Sequence, residues 1–176
     1  MGLLFLHGAG GSADDGPLVD ALGRALGTAV DRPRLPGDDM SYEAWAVPVR
    51  EHLGMLGPDG LVVGHSLGGS ILLRVLAEGV RPGTRAALLA APDWGPDGWD
   101  VADYAFSGPE PRASLTLHHC RDDEVVPFAH LAQLAARLPS ARVVEHAVGG
   151  HQLDGLAGEV ARSLDDEVVG AAGGRR

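Results

Sequence analysis

Short apolar runs alternate with segments of helical period along the whole chain. Residues 3–6, 29–33, 60–63, 85–90, 115–119 and 142–146 read as strands, the second of them weakly. In 17–26, Leu18, Leu22 and Leu26 recur at every fourth position. In 41–56, Ser41 caps a segment that presents Trp45, Val49, Leu53 and Leu56. Helical patterns also cover 66–78, 128–138 and 153–169, and Pro48 predicts a kink or a break in the second helix. Helices placed between strands imply βαβ units. The predicted class is therefore α/β, a compact fold of about six mostly parallel strands with helices on both faces. Residues 1–169 are expected to form a single domain, and 170–176, rich in Gly and Ala, a frayed tail.

Composition narrows the function classes. With 45% apolar and 22% charged residues, the 176-residue chain has the balance of a soluble protein with one substantial core. Its 14 basic residues against 24 acidic ones give a net charge of −10, which argues against nucleic acid or an anionic membrane as a partner. Cys120 is the single cysteine, so no internal disulfide can form. No apolar run is long enough to cross a membrane. The start, Met1 to His7, reads as a core strand rather than a leader, and a cytoplasmic location is expected. His118 and His119 are adjacent on a strand and should face opposite ways, and neither H-E-x-x-H nor C-x-x-C occurs. No metal and no cofactor is expected. Oligomeric state is not legible.

The chemistry concentrates around one serine. Gly64-His65-Ser66-Leu67-Gly68 closes the apolar run Leu61-Val62-Val63 and opens the helical run from Ser70 to Ala77. That is a strand, a tight turn and a helix with a serine at the apex. The turn resembles the nucleophile elbow of α/β-hydrolases. A serine hydroxyl needs a base, the base needs a carboxylate to orient it, and the developing oxyanion needs N–H donors. The strand at 115–119 runs into the acidic turn Asp122-Asp123-Glu124, and Asp93 follows another strand, so three aspartates are open as the acid. Among eight histidines, His151 follows Gly149-Gly150 in a glycine-freed loop at a strand end, which favours it as the base. His118 and His119 read as core or edge residues, His65 as an elbow residue that packs or bonds locally, and His52 and His130 as surface residues. The Leu67 N–H, at the start of a helix, is one candidate oxyanion donor.

Three further motifs extend the resemblance. Asp123-Glu124-Val125-Val126-Pro127 resembles the D-x-x-V-P string of many α/β-hydrolases, which makes Asp123 the implied acid and Asp122 its solvated neighbour. Gly149-Gly150-His151 resembles the family's base position. His7-Gly8-Ala9-Gly10 resembles its H-G loop, which implies Ala9 N–H as the second donor, with Gly10 next and His7 as an anchor. A glycine-rich phosphate loop is disfavoured, since neither G-x-G-x-x-G nor G-K-[ST] is present. The chain is thus identified as a small α/β-hydrolase. With the H-G loop at residue 7, the family's first two antiparallel strands and a large lid are expected to be missing, and the chain resembles lidless serine hydrolases of the retinoblastoma-binding type and short carboxylesterases. What the resemblance implies is hydrolysis of a small soluble ester or thioester through an acyl-enzyme. Alternatives are perhydrolase or carbon–carbon bond hydrolase chemistry on the same triad, or an inactive binding protein on the same fold. The irregular stretch from Pro92 to Ala113 carries Trp94, Trp99, Tyr104 and Phe106, either as a short cap that contacts substrate or as a surface loop plugging the core edge.

Overall fold

Six strands order side by side, four of the five connections between them folding back as a helix and the β4–β5 connection as an irregular segment. The computed structural model describes residues 2–11 and 13–165. The predicted tail and the end of the last predicted helix lie outside the described residues. The strands are β1 (Leu3–Leu6), β2 (Val30–Asp31), β3 (Leu61–His65), β4 (Arg85–Leu89), β5 (Ser114–Cys120) and β6 (Arg142–His146). The helices are α1 (Gly16–Leu26), α2 (Tyr42–Met55), α3 (Leu67–Ala77), α4 (Ala129–Arg137) and α5 (Ala157–Asp165). The sheet order is β2-β1-β3-β4-β5-β6 and every neighbouring pair is parallel.

Strand alternation divides the core in two. Leu4, Leu6, Val62, Leu88 and Leu117 face Trp45, Val49 and Leu53 of α2, Ile71 and Leu72 of α3, and Leu131 and Leu134 of α4. Leu3, Phe5, Leu61, Val63 and Leu89 point the other way, onto Leu18 and Leu22 of α1 and Val160 and Leu164 of α5. A sheet covered on both faces needs apolar residues at successive positions, which is why β1 and β3 read as unbroken apolar runs.

Two sequence expectations are corrected. α2 runs through Pro48 as one helix, so of the kink or break expected there the break does not occur. A proline inside a helix, through the lost hydrogen bond and the clash of its ring with the preceding turn, costs about 3 kcal/mol, and this helix buries Trp45, Val49 and Leu53 completely, each such side chain contributing about 1.5–3 kcal/mol. The last helix begins at Ala157 rather than 153, because Leu153 and Gly155 hold positive φ values of 52 and 78 that no helix accommodates.

The parallel order matters for chemistry because it gathers the carboxyl ends of β1, β3, β5 and β6 on one edge. The chain winds from β1 out to β2 and returns to β3, so β1 and β3 flank the point where the winding reverses. Crevices at such points are where α/β sheets bind ligands.

Candidate active site

At that crevice Ser66 caps α3 with φ 52 and ψ −124, a conformation that strains any residue with a Cβ. The strain is held by hydrogen bonds. The Ser66 N–H donates to the Leu89 carbonyl at 2.8 Å, and its own carbonyl accepts from Gly69 and Ser70 at 3.0 and 3.2 Å. Glycine is required on both sides. A Cβ at Gly64 would lie 2.6 Å from Gly69 Cα, and one at Gly68 would lie 2.4 Å from the Leu6 carbonyl oxygen. The turn therefore presses α3 against the end of β1 and leaves the half-buried Ser66 at the apex. Leu67 opens α3, so its N–H has no acceptor within the helix.

The β1–α1 loop passes alongside. A Cβ at Gly8 would sit 3.0 Å from Ser66 Cβ and 3.5 Å from its Oγ, and Ala9 follows in the exposed part of that loop. His7 ties the loop down, with Nδ1 donating to the Gly8 carbonyl at 2.7 Å and Nε2 accepting from the Leu35 N–H at 3.0 Å.

After β5, Asp123 turns its carboxylate inward. Oδ1 accepts the Val125 and Val126 N–H groups at 2.8 Å each, and His151 Nδ1 donates to Oδ1 and Oδ2 at 3.1 and 3.0 Å. His119 Nε2 lies 3.2 Å from Oδ2 and donates to the Val126 carbonyl at 3.0 Å. Burial alone would raise the pKa of Asp123. Hydrogen bonds from His119 and His151 and from the two backbone N–H groups outweigh burial and hold the carboxyl well below the usual carboxylate range. The group is an anion held by these donors. With Nδ1 donating, His151 keeps the Nε2 lone pair for an incoming proton, and among the described residues Nε2 has no hydrogen-bond partner.

The acidic turn also sets the backbone of the loop carrying His151. Asp122 accepts the N–H groups of Gly149 and Gly150 at 3.3 and 2.9 Å, and Glu124 accepts that of His151 at 3.2 Å. Asp122 is exposed, as the sequence suggested, yet it holds this loop rather than capping a helix. Asp93 does not reach His151. It is buried beside Arg137, with Oδ1 3.3 Å from Nε, and its N–H donates to His130 Nδ1 at 2.9 Å. His130 is therefore not the surface residue expected: only 4% of it is exposed, and burial, partly offset by Asp93, lowers its pKa.

His118 and His119 do face opposite sides. His118 lies 3.0 Å from His146 Nε2 and 2.9 Å from Ser163 Oγ, and burial together with His146 and Arg142 pushes its pKa down to about 3. His119 instead meets Asp123, a contact the sequence gave no reason to expect, since strand alternation shows a side but not a neighbour across a turn. Also unanticipated is Asp15, whose Oδ2 accepts the Gly8 N–H at 3.1 Å and whose Oδ1 lies 3.0 Å from His65 Nδ1.

Residues 92–113 form neither helix nor strand. Trp94 is the hub, with ring centroids 4.9 Å from Trp99 and 4.8 Å from Tyr104, and its Nε1–H donates to Ser70 Oγ at 2.8 Å. Phe106 is buried in the core. The space lined by Ser70, Trp94, Tyr104 and Phe106 is only about 10 Å³, about the least that one water needs. No helix among the described residues is long and apolar enough to cross a membrane, and no group of His, Cys, Asp and Glu among them could hold a metal ion.

Comparison with known proteins agrees with this architecture. The sequence pattern of the serine hydrolase family matches residues 3–155. The fold is similar to the ydeN gene product of B. subtilis, at 20% identity over 94% of this chain and 98% of that one, with a TM-score of 0.74. It is also similar to the mouse alpha/beta hydrolase domain-containing protein 10, at 17% identity over 97% and 90% of the two chains, with a TM-score of 0.72. The esterase domain of a Rhodothermus marinus protein shares 22% identity over 97% of this chain and 84% of that one, with a TM-score of 0.64. No curated protein matches the sequence.

Proposed function

Because the chain belongs to the serine hydrolase family, we propose that it cleaves a carboxylic ester of a small soluble substrate through an acyl-enzyme formed on Ser66. The observation that carries this reading is the paired Asp123 and His151, 3.0 Å apart on the sheet edge where the Ser66 elbow emerges. Ser66 Oγ attacks the acyl carbon while His151 Nε2 takes its proton. Asp123 keeps the imidazole in the Nδ1–H tautomer and balances the imidazolium. The tetrahedral oxyanion is met by the N–H groups of Leu67 and Ala9. His151 returns the proton to the departing alcohol as the C–O bond breaks. Water, deprotonated by the same nitrogen, then displaces Ser66 and releases the acid.

An ester is favoured for two reasons. An esterase domain shares the fold, and residues 92–113 supply no helical lid of the kind that would shelter a long lipid chain. Trp99, at 37% exposed, is the most exposed aromatic of that stretch and the one we assign to substrate, while Trp94, Tyr104 and Phe106 pack more deeply. The test is hydrolysis of p-nitrophenyl acetate together with labelling by a fluorophosphonate probe. Wild type should do both and Ser66→Ala neither. Turnover that survives in Ser66→Ala overturns the proposal.

A further inference from the structure

Asp15 stands at the N-cap of α1, yet its side chain makes no capping bond to the helix. The carboxylate turns inward to the Gly8 N–H and to His65. It is packed so closely that a Cβ at Gly11 would lie 2.9 Å from its Oδ2. His65, the residue before the nucleophile, donates from Nε2 to the carbonyl of His151 at 2.9 Å. The two rings lie 4.7 Å apart between centroids. Three loops thus meet on one buried pair: the elbow through His65, the oxyanion loop through Gly8, and the base loop through the His151 backbone.

The proton arrangement is constrained. A carbonyl only accepts, so Nε2 of His65 carries a proton. Nδ1 faces Asp15 Oδ1 at 3.0 Å, too bent for a regular hydrogen bond. Burial acts to raise the Asp15 pKa, but His65 and the Gly8 N–H overcome it and leave the carboxyl depressed, hence ionised. The contact therefore sets a buried carboxylate against the imidazole of His65. Taking away either member strands the other where water does not reach.

We infer that His65 and Asp15 form a buried brace that locks the elbow, the oxyanion loop and the base loop into one register, and that both are positioning residues for chemistry at Ser66. The inference rests on the proposed hydrolase reading for its kinetic arm only. A displacement of about 1 Å in a reacting group can cost on the order of 100-fold in rate, so a tether between the base loop and the residue beside the nucleophile is a natural place for such control.

Two variants separate bracing from simple packing. His65→Gln places an amide N–H where Nε2 was and keeps the donor to His151. His65→Asn places its amide near Nδ1 and loses that donor. For p-nitrophenyl acetate, His65→Asn should lower kcat about 10- to 100-fold at little-changed KM, and His65→Gln should recover most of the loss. Deuterium exchange of the amides in 147–155 should rise in His65→Asn and stay near wild type in His65→Gln. Unchanged exchange in both variants overturns the brace, and so does an equal rise in both. A loosened loop with wild-type kcat overturns the positioning role. A wild type that neither turns over nor takes the fluorophosphonate probe overturns the hydrolase reading instead, and the exchange data then decide the brace alone.

Discussion

Two histidine–carboxylate pairs lie side by side in this molecule and do different things. His151 and Asp123 approach to 3.0 Å, as do His65 and Asp15, and both aspartate side chains are fully buried. What differs is the second ring nitrogen. In His65 it is tied to a backbone carbonyl; in His151 it is left open on a ring that is 9% exposed. The same pair of side chains is a candidate base where one nitrogen is free, and a brace where neither is. Exposure of a single lone pair, rather than the identity of the residues, separates reactivity from support.

The largest contrast should come from neutralising each carboxylate in turn. Asp123→Asn puts an amide where an acceptor is needed and favours the wrong tautomer of His151. Its kcat on p-nitrophenyl acetate should fall about 10⁴-fold. Asp15→Asn keeps an acceptor for the Gly8 N–H and should cost at most about 100-fold. Equal losses in steady-state kinetics would break the distinction between base and brace.

Stability should reverse the ranking. Asp15→Ala leaves His65 and the Gly8 N–H buried without their partner, and removal of one member of a buried pair costs about 3–5 kcal/mol. His151→Ala takes away a ring at the rim, where solvent and the remaining donors of Asp123 compensate, and should cost about 1–2 kcal/mol. Urea unfolding of the two variants measures the difference. A brace no more costly to remove than the base would count against it.

Acid should weaken both pairs in the same direction. The folded-state pKa values of Asp15 and Asp123 lie below the ordinary 3.8. A depressed carboxyl contributes stability that is complete above about pH 4 and is lost as the pH falls through its folded value. The urea midpoint should therefore drop as the pH falls below about 4, and the drop should be smaller in Asp15→Asn, which has one fewer depressed carboxyl. Matching acid slopes would show that Asp15 carries no such share.

How far these pairs could be read from the sequence follows from the range of the forces involved. The strands, the elbow and the glycine loop at 149–150 leave local marks, because steric demands act within a few residues: Gly64 and Gly68 are dictated by contacts a Cβ would make. The pairing of Asp123 with His151 was reachable through motif order. Asp15, in contrast, sits in an unremarkable Asp14-Asp15-Gly16 run, and its partner lies 50 positions away in the numbering of the contact between residues 15 and 65. His130 looked like a surface residue of a helix because its periodic position does not reveal the irregular segment, including Asp93 and Trp99, that covers it. Pro48 misled for a related reason: local propensity was outweighed by the burial of a whole helix face.

The smallest expected effect tests whether burial is what makes a loop brace matter. Asp122 also grips the base loop, through the Gly149 and Gly150 N–H groups, but does so in solvent. Gly150 holds φ 60 there, so the loop's shape is set by glycine as well as by the carboxylate. Water can replace the lost acceptor in Asp122→Ala, and the net worth of such bonds is about 0.5–1.5 kcal/mol. The expected result is a kcat within about fivefold of wild type and a urea midpoint only slightly lowered. If Asp122→Ala instead matches His65→Asn in kcat and in exchange of 147–155, the exposed latch holds the base loop as firmly as the buried one, and desolvation is not what distinguishes them.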